Sequence, residues 1–189
     1  YDMDENANAS VDIIQLTDLH INKVNEQDTN SALVYSKGYR SNFYPEGSSI
    51  MAVQNAMDYA ASFDQTVITG DVIDYLSAGA LEMTKKYIWD EDPNVLAAPG
   101  NHEFPQVVGS GAQEVLSFAQ RKEILQNGWL HDIDYYSRLV KDKVLCVVMN
   151  NASIPDGESS YRYLEGQAEK LAADIALAAD FLRSIINAN

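Results

Sequence analysis

Three short polar clusters have residue types and spacing that suit metal binding and acid–base chemistry. They are Asp18-Leu19-His20, Gly70-Asp71-Val72-Ile73-Asp74 and Gly100-Asn101-His102-Glu103. Carboxylate oxygen, imidazole nitrogen and amide carbonyl oxygen are ligands that hard or borderline divalent ions accept. Two of the three histidines of the chain lie in these clusters. The clusters therefore predict a metal site, if the fold brings them together.

The predicted strands that precede the three clusters would bring them together. Each cluster follows an apolar run that reads as a strand, at residues 11–16, 66–69 and 94–98. Helical patterns occupy residues 48–63, 78–89, 113–126 and 164–186, and residues 134–140 and 144–149 are predicted to form a hairpin. Alternating strands and helices predict an α/β domain with a largely parallel sheet. Ligand sites in such sheets form at the carboxyl ends of the strands, where all three clusters lie.

Each cluster taken alone also has a purely structural interpretation. An Asp-x-His after a strand is often a capping aspartate beside a loop histidine, and Gly-Asp-x-x-Asp and Gly-Asn-His-Glu are both typical of turns. The three clusters in this order, each at a strand end, favour the functional interpretation.

The ordered clusters resemble the signature of the calcineurin-like metallophosphoesterases, which are dinuclear metal enzymes that cleave phosphomonoesters or phosphodiesters. The resemblance is closest over residues 11–103. It implies a metallophosphoesterase-type α/β/β/α sandwich and hydrolysis of a small-molecule phosphate ester, without indicating which one.

The resemblance also implies a role for individual residues in metal binding. Asp18 and His20 would bind the first metal, and Asp71 would bridge both metals through its two carboxylate oxygens. Asn101 would bind the second metal through its side-chain carbonyl oxygen. The implied cofactors are two divalent or trivalent ions of Mn, Fe or Zn, about 3.5–4 Å apart.

Catalytic roles follow from the same resemblance. A hydroxide held by the metals would be the nucleophile, because coordination lowers the pKa of water toward ~7. His102 would protonate the leaving alkoxide, and Asp74 would accept a hydrogen bond from His102 and keep it oriented and charged.

Residues 22–47 show no clear periodicity and are predicted to form a long loop at the edge of the site. Lys37 and Arg40 in this segment are candidate phosphate contacts. The three clusters themselves contain no Lys or Arg, so bound metals would have to supply most of the positive charge that a phosphate requires.

The sequence departs from the family pattern after the third cluster. The family continues with a later histidine and a Gly-His-x-His block, and neither follows before Asn189. The third histidine, His131, is predicted to be a surface or packing residue. We therefore expect a polar linker at residues 1–10 and a partial domain at residues 11–189, with a completing C-terminal segment or self-association. The alternative is a non-catalytic scaffold or fragment that binds at most one metal.

Composition excludes other classes of protein. The chain carries 13 Lys and Arg against 28 Asp and Glu, a net charge of −15, which argues against a nucleic-acid or polybasic membrane binder. No apolar run reaches the ~18 residues of a transmembrane helix. One cysteine, Cys146, excludes an internal disulfide framework. The chain begins with Tyr1 and not with Met, so it is either a processed chain or a fragment, and a processed start favours an extracytoplasmic protein.

Overall fold

A three-stranded parallel sheet forms the centre of the structure, a computed structural model that describes residues 10–150 and 167–188. Its strands are β1 (Ile13–Leu16), β2 (Gln65–Thr69) and β3 (Leu96–Ala98), in the order β1-β2-β3. Ile14 lies opposite Thr66, and Ile68 lies opposite Ala97. The predicted α/β architecture with a parallel sheet is confirmed. All but the last residue of the predicted linker at 1–10 lies outside the described residues.

The described part of the chain contains five helices. They are α1 (Ser31–Arg40), α2 (Ile50–Ala60), α3 (Ala78–Thr84), α4 (Phe118–Gly128) and α5 (Gln167–Ala188), and α3 continues into a π-helical turn, Lys85–Trp89. The helices predicted at residues 48–63 and 78–89 are confirmed with slightly different ends. None of the described helices has the length and apolar character that a membrane span requires.

Helix α1 corrects the prediction that residues 22–47 form a loop without secondary structure. Asn30 caps this helix, because its side chain accepts a hydrogen bond from the main-chain N–H of Leu33. The helix buries Ala32, Leu33 and Ser36. Only two of these three buried residues are apolar, so tertiary packing and not a strong sequence periodicity determines the helix.

Helix α4 begins five residues later than the pattern at 113–126 predicts. Ser117 and Gln120 form a capping box, in which each side chain satisfies a main-chain N–H of the other residue. The predicted helix at 164–186 is observed as α5, and its first predicted residues, 164–166, lie outside the described part. Leu177 and Ile186 of α5 are exposed.

The predicted hairpin is confirmed as an antiparallel pair, β4 (Tyr135–Val140) and β5 (Val144–Met149). Lys141 and Asp142 in its turn have positive φ angles of 49° and 55°, as a type I′ turn requires. The hydroxyl of Tyr136 accepts from the main-chain N–H of Ala97 at 2.7 Å and donates to the carbonyl of the same residue at 3.1 Å. The hairpin thus lies beside the free edge of β3, where one side chain satisfies the main chain of that strand.

A continuous apolar core supports the carboxyl ends of the parallel strands. Fully buried residues of this core include Ile21, Ile68 and Ile73, and the rings of Trp89 and Trp129 meet edge to face at 5.2 Å. Ile21 and Ile73 also form an isolated parallel bridge beyond β1 and β2. The core therefore holds the first two polar clusters in place directly beyond the sheet.

Candidate metal and catalytic site

The loops after β1 and β2 stay paired beyond the ends of the strands. The main-chain N–H groups of Asp18 and His20 donate to the carbonyls of Gly70 and Asp71 at 3.2 and 2.9 Å. Three residues in these two loops, Asp18, His20 and Asp71, have positive φ angles of 54°, 46° and 53°. Non-glycine residues in this conformation cost about 1–3 kcal/mol each and cluster at functional sites. The local strain therefore coincides with the three residues that were predicted to bind the first metal.

The side chains of these three residues converge. His20 Nε2 lies 3.7 Å from Asp18 Oδ1 and 3.9 Å from Asp71 Oδ2, and one ligand atom from each residue lies within 4.8 Å of the others. The Asp18 side chain is 61% exposed and the Asp71 side chain 16% exposed. Two carboxylates and one imidazole, open to solvent on one side, make a donor set that fits a divalent ion.

The other nitrogen of His20 supports the same assignment. Nδ1 of His20 lies 3.3 Å from Oδ1 of Asp74, so the ring presents Nε2 to Asp18 and Asp71. A histidine that ligates a metal commonly directs its second ring nitrogen to a carboxylate, which fixes the orientation of the ring. His20 has this arrangement.

A second group of possible ligands, His20, Asp74 and His102, is also compact. Here, however, the Arg40 guanidinium forms an ion pair with Oδ1 of Asp74. The same oxygen lies 3.4 Å from Nδ1 of His102. A cation at this place would be repelled by the guanidinium at close range. The donor set of Asp18, His20 and Asp71 is therefore the better cation site.

Asp74 is fully buried, and its carboxylate is surrounded by donors. Oδ2 accepts a hydrogen bond of 2.8 Å from the Tyr44 hydroxyl, and Oδ1 faces Arg40 and both histidines. Burial would raise the pKa of Asp74, but the bonds from His102, His20, Arg40 and Tyr44 outweigh burial and hold that pKa well below its usual range. Burial and the bond to Asp74 raise the pKa of Tyr44 to about 12. Asp74 is therefore an ionised carboxylate in the interior.

His102 lies beside the cluster of Asp18, His20 and Asp71, and Asp74 fixes the position of its Nδ1 atom. Nδ1 of His102 donates to the main-chain carbonyl of Asp74 at 2.7 Å and lies 3.4 Å from the carboxylate of the same residue. Asp74 raises the pKa of His102 against the opposing effect of burial. The rings of His20 and His102 meet edge to face at 4.7 Å. Asp74 thus holds His102 through its main chain as well as its side chain, whereas the sequence suggested only the side chain.

Glu103 ties two of the loops together, a role that sequence reasoning did not assign. Its fully buried carboxylate accepts hydrogen bonds from the main-chain N–H groups of Asp71, Ile73 and Gly100. Burial raises the pKa of Glu103 to about 7, although the backbone donors oppose this. The only signal in the sequence was its position next to His102.

Two glycines allow the loops after β2 and β3 to touch. Gly70 has a φ of +108°, and a Cβ there would lie 2.9 Å from Cα of Gly100. A Cβ on Gly100 would lie 2.2 Å from Oδ1 and 2.6 Å from the main-chain nitrogen of Asp71. These approaches leave no room for a side chain.

The remaining predicted site residues are placed as follows. Asn101 is exposed in the turn directly after Gly100. Lys37 pairs with Glu46 at 2.7 Å, and Arg40 pairs with Asp74. The roles of Asn101 in metal binding and of Lys37 and Arg40 in phosphate binding stay predictions. Sequence reasoning missed the contacts of Arg40 and Tyr44 with Asp74, because 34 and 30 residues separate the partners.

Comparison with known proteins agrees with this geometry. Comparison with curated proteins finds no match to the chain. The family model described as calcineurin-like phosphoesterase matches residues 11–179, which include all three polar clusters. Because this match covers most of the chain and includes the residues that converge at the carboxyl end of the sheet, the chain belongs to the calcineurin-like phosphoesterase family.

Proposed function

We propose that this protein hydrolyses a phosphate ester with the help of bound metal ions. The observation that carries the proposal is the cluster of Asp18, His20 and Asp71 directly beside His102, at the carboxyl end of a parallel sheet. Membership in the family and the metal-binding capacity of these residues both support phosphoester hydrolysis.

The proposed cofactors are two ions of Mn, Fe or Zn. Asp18, His20 and Asp71 would hold the first, and Asp71 with Asn101 would contribute to the second. When bound, such ions lower the pKa of a coordinated water toward ~7 and offset the negative charge of the phosphate. Bound metal would supply needed positive charge, because the chain has a net charge of −15 and the two predicted phosphate contacts, Lys37 and Arg40, already pair with carboxylates.

The proposed role of His102 is to protonate the leaving oxygen. Because Nδ1 donates to the carbonyl of Asp74, Nε2 is the ring nitrogen that remains for a substrate. Asp74 keeps the ring in one orientation, as carboxylates do for many catalytic histidines. A side chain that is 22% exposed is accessible enough to contact a ligand.

The proposed substrate is a small-molecule phosphate ester. A nucleic acid is disfavoured, because a chain with 28 acidic and 13 basic residues would repel a long polyanion. We also propose the complete α/β/β/α sandwich of the family, in which a further segment or a second copy would supply the remaining ligands of the second metal.

A second candidate is a non-catalytic scaffold that binds at most one metal. The observation that favours it is the unequal number of candidate ligands. Among the described residues, three candidate ligands surround the first metal, and two, Asp71 and the exposed Asn101, are available for the second. Such a protein would bind one ion without turnover.

The test combines metal content with hydrolysis of p-nitrophenyl phosphate and bis(p-nitrophenyl) phosphate in the presence of Mn²⁺, Fe²⁺ or Zn²⁺. We expect metal-dependent hydrolysis that Asp71→Asn abolishes together with metal binding. Asp58→Asn, which changes an exposed carboxylate on α2, is the matched control and should leave both unchanged. One bound metal without hydrolysis of either ester would support the scaffold and contradict the enzyme.

A further inference from the structure

We propose that Arg40 is a positioning residue that acts on the two site histidines through Asp74, and that it does not contact the phosphate. The inference rests on the proposed function for its kinetic test, but it concerns a contact that exists in the chain without metal or substrate. It gives the segment between the first two polar clusters a role in the site.

The Arg40 side chain is already committed to partners within the protein. Its guanidinium forms an ion pair with the fully buried Asp74, and the side chain as a whole is only 18% exposed. It also lies over the ring of Tyr44, with Cζ 5.6 Å from the ring centroid. Moving Arg40 toward a phosphate would remove the cation from a buried carboxylate, which is strongly unfavourable.

Four side chains share the Asp74 carboxylate. Oδ1 faces Arg40, Nδ1 of His20 and Nδ1 of His102, and Oδ2 accepts from Tyr44. Among these four partners, Arg40 has the only charge that does not depend on pH in the physiological range. Arg40 and Tyr44 approach the Asp74 carboxylate from the end of α1 and the residues just after it, whereas His20 and His102 approach it from the loops after β1 and β3. The direction of the carboxylate therefore depends on Arg40 and Tyr44 as well as on the histidines.

Helix α1, which carries Arg40, is held in position by a buried side chain. The buried hydroxyl of Ser36 donates to the carbonyl of Gln106 at 2.7 Å and accepts from the N–H of Val108 at 2.9 Å. The segment that holds Ser36 follows His102 by only four to six residues. Helix α1 is thus attached to the His102 loop at Ser36 and to Asp74 at Arg40, so the guanidinium cannot drift far from the carboxylate.

The kinetic test separates positioning from phosphate binding. For Arg40→Lys and Arg40→Met we expect kcat to fall about 10–100-fold, the range for residues that support a catalytic or ligating histidine, with KM changed less than about twofold. Metal content should change little in Arg40→Lys. A rise in KM with kcat retained would show a phosphate contact and overturn the proposal.

A double-mutant cycle keeps the proposal testable if Arg40→Met folds poorly. In Arg40→Met/Asp74→Asn both charges of the buried pair are removed together, so no unpaired charge is left in the interior. If Arg40 acts through Asp74, the double variant should be no slower than Asp74→Asn alone. Losses that multiply would show that Arg40 acts independently and would contradict the inference. Arg121→Met is the matched control, because Arg121 is a buried arginine paired with Glu114 at 3.0 Å.

A readout that needs no activity separates this inference from the proposed function. Long-range ¹H–¹⁵N spectra of the metal-free chain report the ring nitrogens of His20 and His102. We expect Arg40→Lys to shift both sets of ring signals, and Arg121→Met to leave them in place. Unchanged histidine signals in Arg40→Lys would overturn the positioning role, whether or not the wild-type chain hydrolyses phosphate esters.

Discussion

Two borders of the parallel sheet, the edge at the carboxyl ends of its strands and the side edge of β3, carry histidines whose surroundings differ. At the carboxyl end, His102 lies beside the buried Asp74, which raises the pKa of the histidine. At the side edge of β3, Nε2 of His131 lies 3.0 Å from the carbonyl of Val95, and burial lowers the pKa of this histidine. No carboxylate is among the causes of that second shift. The neighbours of the two histidines, and not their residue type, therefore shift the two pKa values in opposite directions.

Backbone conformation differs between the two edges as well. The loops at the carboxyl end hold Asp18, His20 and Asp71 with positive φ, whereas β4 and β5 form a regular ladder with strained residues only in their turn. Glu103 helps to hold the strained loops in place, because its carboxylate accepts hydrogen bonds from three main-chain N–H groups. The loops at the carboxyl end are thus the more strained part of the backbone, and the hairpin is regular outside its turn.

The largest effect should come from a substitution of His102, at the carboxyl ends of the strands. We expect His102→Ala to lower kcat about 10²–10⁴-fold, as loss of a general acid does, while metal content stays near the wild-type value. The equivalent change at the other edge, His131→Ala, should leave kcat within about threefold, a range set by indirect packing effects. Activity assays together with metal analysis measure both. Equal losses of kcat in the two variants would contradict the distinction between the edges.

The contact between the loops after β2 and β3 should be nearly as sensitive to substitution. Gly100→Ala places a Cβ 2.6 Å from the main-chain nitrogen of Asp71, so we expect a loss of about 1–3 kcal/mol in the free energy of unfolding and weaker metal binding. Gly38→Ala is the control. Gly38 lies within α1 with no atom near its added Cβ, and the change should stabilise the chain by about 0.5–1 kcal/mol. Urea denaturation and metal titration test the pair. Wild-type metal affinity in Gly100→Ala would show that the close approach of the two loops does not matter.

The hairpin edge should respond in stability and not in catalysis. Tyr136→Phe removes the hydroxyl that bonds both the N–H and the carbonyl of Ala97, which are left without that partner. We expect a loss of about 1–3 kcal/mol in the free energy of unfolding, with kcat and KM unchanged. A fall in kcat that exceeds the loss of folded protein would mean that the hairpin also shapes the site.

The smallest effect should be a change in the pH dependence of stability. Burial lowers the pKa of His131 in the folded chain, so the unfolded chain binds a proton at a higher pH than the folded chain does. This contribution to stability is therefore complete above the unfolded pKa, about 6.5, and is lost as pH falls toward the folded value. His131→Gln should show a flatter decline in the free energy of unfolding below pH 6.5. A decline identical to that of the wild type would assign the acid sensitivity to other groups.

Local sequence was sufficient for the parts of the fold that depend on neighbouring residues. Apolar runs that end in polar clusters predicted β1 to β3, and the two runs that flank residues 141–143 predicted the hairpin. Helix α1 escaped prediction, because its stability comes from Ser36 and Leu33 packed against distant residues. The start of α4 was misplaced because a capping box at Ser117 outweighed the apolar pattern before it.

The sequence by itself determined which residues are candidates for chemistry and in what order they occur, because ligand types and strand-end positions are local properties. Tertiary structure decided how they are arranged. It placed Asp18, His20 and Asp71 within reach of one ion and committed Arg40 and Tyr44 to Asp74. It also buried Glu103 against the backbone of the next loop. Apart from the contact between Asp18 and His20, these contacts join residues 30 or more positions apart, so no spacing in the sequence encodes them. They form because burial of a carboxylate is tolerated only where donors from several loops meet.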